Sequence, residues 1–356
     1  MRFNLVINME RYSSEQDMRD ISRHTTEMVQ MADQGGFDIV WAAEHHALEM
    51  TISPGPFQLM AHWAAHTSQI RIGCACVVAP YWHPIKLAGE AALFDLLSGG
   101  RLEFGIGKGA YQREFDRLMN GMDQNLGVPM MLEMIPALKE LWRGDYAHDG
   151  KYWQFPESTS CPKPLQTPHP PIWVAARDPA TYDAAVSEGY NIMSWALTRP
   201  FSETKTYMER FESALKKAPK GTKRPYFMTM RHVGIFDTIR DSDIFIESIQ
   251  KQGRQFENLF RKLKPVKNGF PIEPNPVDLI NQDEYQRKNL MDNLILGTPD
   301  EAILKLKPYE NLGVDYFCYM ASYHLPLKEQ KKSLKLFIDE VLPEFQKPEP
   351  TRLMAE

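Results

Sequence analysis

Short apolar runs alternate with amphipathic stretches along most of the chain, and this alternation constrains the fold most. It is typical of repeated β/α units around a parallel sheet. Strands are predicted at Arg2–Met9, Asp38–Ala43, Ile70–Ala79, Leu102–Gly107, Ile172–Ala176, Asn191–Trp195, Tyr226–Phe236 and Tyr316–Met320. Helices are predicted at Asp17–Gly35, Phe57–Thr67, Ile85–Leu97, Met130–Trp142, Thr181–Glu188, Glu203–Lys217, Thr298–Tyr309 and Leu327–Val341.

Eight such units can form a closed barrel or an open doubly wound sheet. The chain lacks a strong dinucleotide-binding fingerprint near its start, which favours the barrel. We therefore predict α/β architecture, with residues 1–356 forming a single (β/α)8 TIM barrel with insertions.

The polar, proline-punctuated segment 238–293 is predicted to be the main insertion and to contain no barrel strand. Long segments of this kind in compact domains often serve as lids. Within it, Lys251–Asn293 is rich in lysine and proline and is predicted to be a mobile lid. The alternative is an ordered insertion that packs on the barrel wall or at a dimer contact.

Composition favours an enzyme of small molecules. The net charge of −5 and pI near 6.1 give no reason to expect a nucleic-acid or anionic-membrane partner. The N-terminal residues do not resemble a targeting peptide, and no apolar run approaches the roughly 18 residues that suggest a membrane span. Four scattered cysteines favour neither a disulfide framework nor structural zinc. These features together predict a cytoplasmic protein.

Functional residues of a barrel gather at the C-terminal ends of its strands. The second predicted strand leads into Glu44-His45-His46. Two adjacent histidines at a strand end can be packed side chains, metal ligands, or one functional base with its neighbour packed behind. Adjacent strand residues point in opposite directions, so we do not expect both on one metal. The position favours one histidine as a base or hydrogen-bond donor.

Two further segments could hold a phosphate. The first is Gly105–Gly109, a glycine-rich turn that could bring Lys108 to an anion or simply end a strand tightly. In the second, Arg177 and Thr181 flank a predicted helix start, where free backbone N–H groups favour phosphate. The residues by themselves therefore predict a phosphate-bearing ligand.

Several blocks together resemble the bacterial luciferase-like family of flavin-dependent monooxygenases. They are GFDIVWAAEHH (Gly36–His46), GCACVVAPYWHP (Gly73–Pro84), LSGGRLEFGIGKGAYQREF (Leu97–Phe115), PPIWVAARDPAT (Pro170–Thr181) and GTPDEA (Gly297–Ala302). The resemblance runs from the N-terminus to about residue 200 and resumes at Gly297. It implies a (β/α)8 barrel, in agreement with the strand pattern.

The resemblance also implies a two-component monooxygenase. Reduced FMN would come from a separate flavin reductase, and a flavin 4a-hydroperoxide formed with O2 would oxidise a small organic substrate. The protein would shield that adduct from water and orient the substrate. A homodimer is expected from the same resemblance, paired through Phe57–Thr67 and Ile85–Leu97.

Residue roles follow from the resemblance, motif by motif. His45 is the implied catalytic histidine, and His46 and Tyr111 are assigned to the substrate pocket. Lys108 replaces a phosphate-binding arginine, Arg177 replaces an acidic residue, and Gly107 replaces a reactive cysteine. The remaining residues assigned to the cofactor are Ala75, Cys76, Glu114, Ala176, Asp178, Thr181 and Trp195. Ala75–Cys76 aligns with a non-prolyl cis peptide.

Other functions stay open. A deazaflavin-dependent dehydrogenase or reductase could use the same barrel, and a non-catalytic flavin-binding homologue is a further possibility. A metal-dependent hydrolase is disfavoured because carboxylate and histidine ligands do not converge in the sequence. The substrate is not evident. An apolar pocket could draw on Met60, Trp63, Trp82, Tyr111, Trp195 and Met230, although such residues also serve as simple packing.

Overall fold

The computed structural model describes residues 1–279 and 282–346, and in them eight parallel strands close into a barrel. The barrel strands are β1 (Arg2–Val6), β2 (Ile39–Ala42), β3 (Arg71–Cys74), β4 (Leu102–Gly107), β5 (Ile172–Ala175), β6 (Asn191–Trp195), β7 (Phe227–Ile235) and β8 (Tyr316–Met320). Each strand pairs with the next, and β8 closes the ring by pairing with β1 from Arg2↔Tyr316 to Val6↔Met320. The predicted barrel is confirmed.

Eleven α-helices are present in those residues. They are α1 (Met18–Gly35), α2 (Pro56–Ala65), α3 (Pro84–Leu97), α4 (Gln112–Leu118), α5 (Gly127–Arg143), α6 (Pro179–Ser187), α7 (Phe201–Lys217), α8 (Ser242–Arg261), α9 (Arg287–Asn293), α10 (Pro299–Asn311) and α11 (Leu327–Leu336). Every one of them is too short or too polar to cross a lipid bilayer.

Short strands supplement the barrel. Val77–Val78 pairs with β4, and Ile295–Gly297 pairs with the end of β7. Two antiparallel hairpins form from Tyr146–Asp149 with Gln154–Ser158 and from Val266–Lys267 with Phe270–Pro271.

Local chemistry explains where several helices begin and end. The Asp17 carboxylate caps α1 by accepting from the Arg19 N–H at 2.8 Å, and Gly36 ends that helix with a left-handed φ of 86°. A capping box between Thr298 and Glu301 starts α10. These caps explain why the predicted boundaries of both helices lie close to the observed ones.

Two apolar layers stabilise the barrel. The inner layer fills the barrel and comprises Val6, Ile39, Trp41, Trp173, Met193, Met228, Tyr316, Cys318 and Met320. The outer layer is larger and lies between the strands and the surrounding helices. Because side chains alternate along each strand, most strands supply both layers and therefore read as nearly continuous apolar runs, whereas the apolar residues of β3 and β4 belong to the outer layer.

Part of the insertion is helical and packs on the barrel. It begins with the 20-residue helix α8, whose buried residues include Phe245, Ile246, Ile249 and Leu259. Three of these pack in one cluster with Tyr323 and other residues of the barrel. The sequence does carry this information, because the four apolar residues follow helical spacing. Of these four residues only Leu259 lies within the predicted lid Lys251–Asn293, and the lid stays a prediction.

Candidate active site

The loop after β2 brings His45 against a buried carboxylate. The Nδ1 atom of His45 lies 3.1 Å from Oε2 of Glu114, a residue of α4. The His45 side chain is 21% exposed and that of Glu114 is 1% exposed, so the pair is shielded yet reachable from the barrel mouth. The His45 ring also stacks on Tyr111, with 5.2 Å between the ring centroids.

Glu114 controls the proton on His45. Burial of the ring opposes protonation, but the charge and hydrogen bond of Glu114 outweigh it and raise the pKa of His45 above its usual value. Because Nδ1 donates to the carboxylate, Nε2 is the nitrogen left for proton exchange with a ligand. The geometry therefore gives His45 the form of a general acid or base.

His46 is held by a second buried carboxylate, which the sequence analysis did not single out. The Oε1 atom of Glu44 lies 2.9 Å from His46 Nε2, and Oε2 accepts the backbone N–H of Val78 at 2.7 Å. The indole N–H of Trp82 also donates to Glu44, at 3.0 Å. Glu44 thus fixes His46, the short strand Val77–Val78 and the Trp82 side chain. Its place in the EHH motif was the available signal.

The peptide between Ala75 and Cys76 is cis, as the resemblance predicted. The Cys76 side chain points toward Gly107 on the neighbouring strand, where any β-carbon would clash with its sulfur. The resemblance implies that the thiol expected at position 107 is missing, and the structure places the Cys76 thiol in that space instead. Burial, followed by the charge of Glu44, raises the pKa of this thiol to about 12, so it stays protonated near neutral pH.

Lys108 follows β4 and Arg177 follows β5, and both could bind an anion. Within residues 1–279 and 282–346, neither Lys108 nor the Arg177 guanidinium forms a hydrogen bond or ion pair with another side chain. The two strand ends are close enough to interact electrostatically. The charge of Lys108 helps to lower the pKa of Asp178, and the charge of Arg177 opposes the rise in the pKa of the Tyr111 hydroxyl. This pair of unpaired positive charges fits the predicted phosphate site.

Asp178 and Thr181 are paired with each other. Asp178 is the N-cap of α6 and accepts both the backbone N–H of Thr181, at 2.9 Å, and its hydroxyl, at 2.7 Å. Burial alone would raise the pKa of Asp178, but these bonds and the charge of Lys108 lower it. Their assignment to phosphate binding stays a prediction, and Ala176 lies buried directly before them.

A cavity of about 370 Å³ opens beside this site, between the ends of β5 and β6 and helix α7. Its lining includes Trp195 and three arginines, Arg177, Arg199 and Arg210. Arg210 donates to the backbone carbonyl of Arg177. The indole N–H of Trp195 is buried without a hydrogen-bond partner in the described part of the chain. Arg199 and Arg210 were not identified from the sequence, because their position in space depends on how α7 packs.

Helix α8 covers the barrel mouth. Its Phe256 ring packs against Trp195 at 5.5 Å between centroids, and Phe260 packs against Tyr111 at 5.0 Å. Past the helix, the backbone carbonyl of Lys264 accepts from Arg113 at 2.7 Å. The insertion therefore contacts several of the predicted site residues.

Not every predicted pocket residue reaches the mouth. Met60 and Trp63 lie fully buried on α2, in the layer between strands and helices, so for these two the alternative of simple packing holds. Helical residues that face the sheet from outside cannot reach the barrel interior. By contrast, Met230 packs with the inner layer, and Trp82 contacts Glu44. No cluster of three or more potential metal ligands occurs in residues 1–279 and 282–346.

Comparison with known proteins identifies the family of this chain. The family model for luciferase-like monooxygenases matches residues 1–316. The oxygenase component of a flavin-dependent trigonelline monooxygenase from Acinetobacter baylyi is 39% identical over 345 residues, covering 97% of this chain and 96% of the relative. The chain therefore belongs to the luciferase-like monooxygenase family.

Solved structures agree on the fold. Monooxygenase RslO1 from Streptomyces bottropensis aligns with a TM-score of 0.79 at 24% identity, covering 97% of this chain and all of the other. The oxygenating constituent of 3,6-diketocamphane monooxygenase from Pseudomonas putida, in complex with FMN, aligns with a TM-score of 0.74 at 20% identity, covering 97% and 98%.

Proposed function

We propose that this chain is the oxygenase component of a two-component monooxygenase that takes reduced FMN from a separate flavin reductase and oxidises a small organic substrate with O2. The observation that carries the proposal is the convergence, at one barrel mouth, of the His45–Glu114 pair and the free cations Lys108 and Arg177. When bound, reduced flavin would supply the electrons that activate oxygen.

The residues present fit such a cofactor. Lys108 and Arg177 would bind its phosphate, since charged hydrogen bonds to phosphate need unpaired cations of this kind. The indole N–H of Trp195, which has no partner among the described residues, offers a hydrogen-bond donor at the same mouth. Gly107 leaves room for the Cys76 thiol in the wall between β3 and β4, where the Ala75–Cys76 peptide is cis.

Each residue then has a defined task. His45 holds a proton at Nε2 while Glu114 fixes the ring through Nδ1. Glu44 keeps His46 in place beside it. Helix α8 excludes water through Phe256 and Phe260, and water exclusion is what an oxygenase of this type requires.

The first substrate to test is trigonelline, because the 39% identical relative is named for it. Trigonelline is a small aromatic ring that carries a cationic N-methyl nitrogen and a carboxylate. The chain should consume oxygen and yield a product one oxygen atom heavier when it is supplied with FMN, NADH and a flavin reductase. Mass spectrometry of the product reads the result, and omission of the reductase is the control.

Two results would contradict the proposal. Substrate oxidation without oxygen uptake, with a deazaflavin as hydride acceptor, would make the chain a dehydrogenase. Flavin binding without turnover of any compound in a broad panel would favour a non-catalytic homologue.

We also propose a homodimer that pairs through α2 and α3. On α3 the side chains of Leu93, Leu96 and Leu97 are exposed, with Leu97 66% exposed. Exposed apolar groups clustered on one helix are typical of interaction surfaces. Light scattering at micromolar concentration should give twice the chain mass, and Leu97→Lys should weaken the dimer. A monomer in the unmodified protein would contradict this proposal.

A further inference from the structure

The predicted flavin-binding residues occupy only part of the barrel mouth. His45, Cys76, Lys108, Arg177 and Trp195 lie at the ends of β2 to β6 in order. The ends of β7, β8 and β1 form the remaining sector, which we call the β7–β1 sector. Helix α8 covers this sector as well, so it is enclosed by the same element that contacts Trp195.

Polar contacts tie the β7–β1 sector together beneath α8. The Gln252 side chain lies 2.7 Å from Nε2 of His232 on β7 and donates to the Ser322 carbonyl after β8 at 3.3 Å. The Ser322 hydroxyl accepts the backbone N–H of Asn8 at 2.9 Å, after β1. His232 in turn lies beside Trp195, at 5.9 Å between centroids. The sector is therefore continuous with the flavin side of the mouth.

Glu10 stands out in this sector. It is 4% exposed, and its Oε2 atom has no hydrogen-bond partner in the part of the chain that the structure describes. The Oδ1 atom of Asn8, two residues earlier, is also buried and without a partner there. Each of these two oxygens can accept a hydrogen bond, and no donor of the described residues reaches either of them.

Among the described residues, the Glu10 carboxyl is not compensated by a cation. Burial raises the pKa of its carboxyl well above the usual range, and only hydrogen bonds from the His324 backbone and the Asn8 side chain oppose that effect. No positively charged side chain of residues 1–279 or 282–346 contributes. A buried carboxylate is stable when it has a cationic partner, and a bound ligand can provide that partner.

We propose that Glu10 and Asn8 form the substrate-recognition end of the site, and that the substrate carries a cationic nitrogen that binds beside Glu10. This inference rests on the proposed function, since it assigns the remaining sector of the same mouth to the substrate. Glu10 is thus a specificity residue, while His45 acts on the proton.

Binding, measured apart from turnover, tests the proposal. The full chain loaded with oxidised FMN is titrated by calorimetry with trigonelline and N-methylpyridinium as cations, and with nicotinate as the analogue that lacks the cationic methyl group. Glu10→Gln, which keeps the shape and removes the charge, should weaken both cations about tenfold or more. Nicotinate and FMN should bind as before. Glu157→Gln, on an exposed hairpin strand, is the matched control and should change nothing.

Other outcomes decide against the inference. Unchanged affinity for both cations in Glu10→Gln would overturn it, as would an equal loss for nicotinate and the cations. If the unmodified protein binds neither cation, the inference also fails, even where oxygen consumption with another substrate supports the proposed function. Glu10→Asp keeps the charge and should retain most of the cation affinity, which separates loss of charge from disturbed packing. Failure of the proposed function would be seen in other measurements, because the protein would then not bind flavin or would not consume oxygen.

Discussion

The two sectors of the barrel mouth differ in how their polar groups are satisfied. At the ends of β2 to β4 the histidines are paired with buried carboxylates, His45 with Glu114 and His46 with Glu44. In the β7–β1 sector, burial lowers the pKa of His232 to about 4, and its partner is the neutral Gln252. We therefore expect one sector to serve proton transfer, whereas the other keeps its histidine neutral and presents acceptors. A single mouth can thus separate chemistry from recognition.

The sharpest test of this difference is a pair of matched substitutions. His45→Asn should lower turnover roughly 100-fold or more, because a positioned general acid or base contributes on that scale. His232→Asn, in the other sector, should mainly raise KM and leave kcat within a few-fold. Steady-state kinetics with the reductase present would measure both, alongside FMN affinity. Equal losses of kcat in the two variants would remove the distinction between the sectors.

We expect the anion site at Lys108 to bind the phosphate of FMN and to have no part in substrate recognition. Lys108→Ala should weaken reduced-FMN binding by about 1–3 kcal/mol, the scale of a charged hydrogen bond, because one of two free cations is lost. Riboflavin, which lacks the phosphate, should bind the variant and the unmodified chain equally. Anaerobic titration followed by flavin fluorescence checks this, with Lys86→Ala on the outer helix α3 as control. Unchanged FMN affinity would contradict the assignment of Lys108.

Helix α8 joins the two sectors, so loosening it should uncouple the reaction. Deletion of Lys251–Asn293 would remove Leu259 and Leu290, which are fully buried, so a substitution is the cleaner test of the predicted lid. Phe256→Ala should raise hydrogen peroxide release several-fold and lower product yield, since water would reach the site. Ile244→Ala, at a more exposed position of the same helix, is the control. Unchanged coupling in a folded Phe256→Ala protein would rule out the lid.

A smaller effect should appear in thermal stability. The folded-state pKa of His45 is raised, so protonation favours the folded protein. That contribution is fully present below the unfolded pKa of about 6.5 and is lost as the pH rises through the folded pKa. The Tm difference between the unmodified chain and His45→Asn should therefore be larger at about pH 6 than at about pH 9. A pH-independent difference for His45→Asn would contradict the ion pair.

The sequence determined the barrel and one sector of its mouth. Strand and helix periodicities are local properties, and the closed sheet follows once eight β/α units are recognised. His45, Lys108 and Arg177 follow strand ends, so their common face was predictable from the same rule. The Ala75–Cys76 cis peptide was predictable through resemblance alone.

Tertiary structure decided the rest. Glu44 as the support of His46, the arginines Arg199 and Arg210 around the cavity, and the place of α8 over the mouth depend on contacts between residues far apart in the chain. Glu10 carries no local signal, since an acidic residue after a strand is ordinarily solvated. Only the packing of β8 and α8 around it shows that its carboxyl is buried and uncompensated. Burial is a property of the whole fold, and the energetic meaning of a charged side chain depends on it.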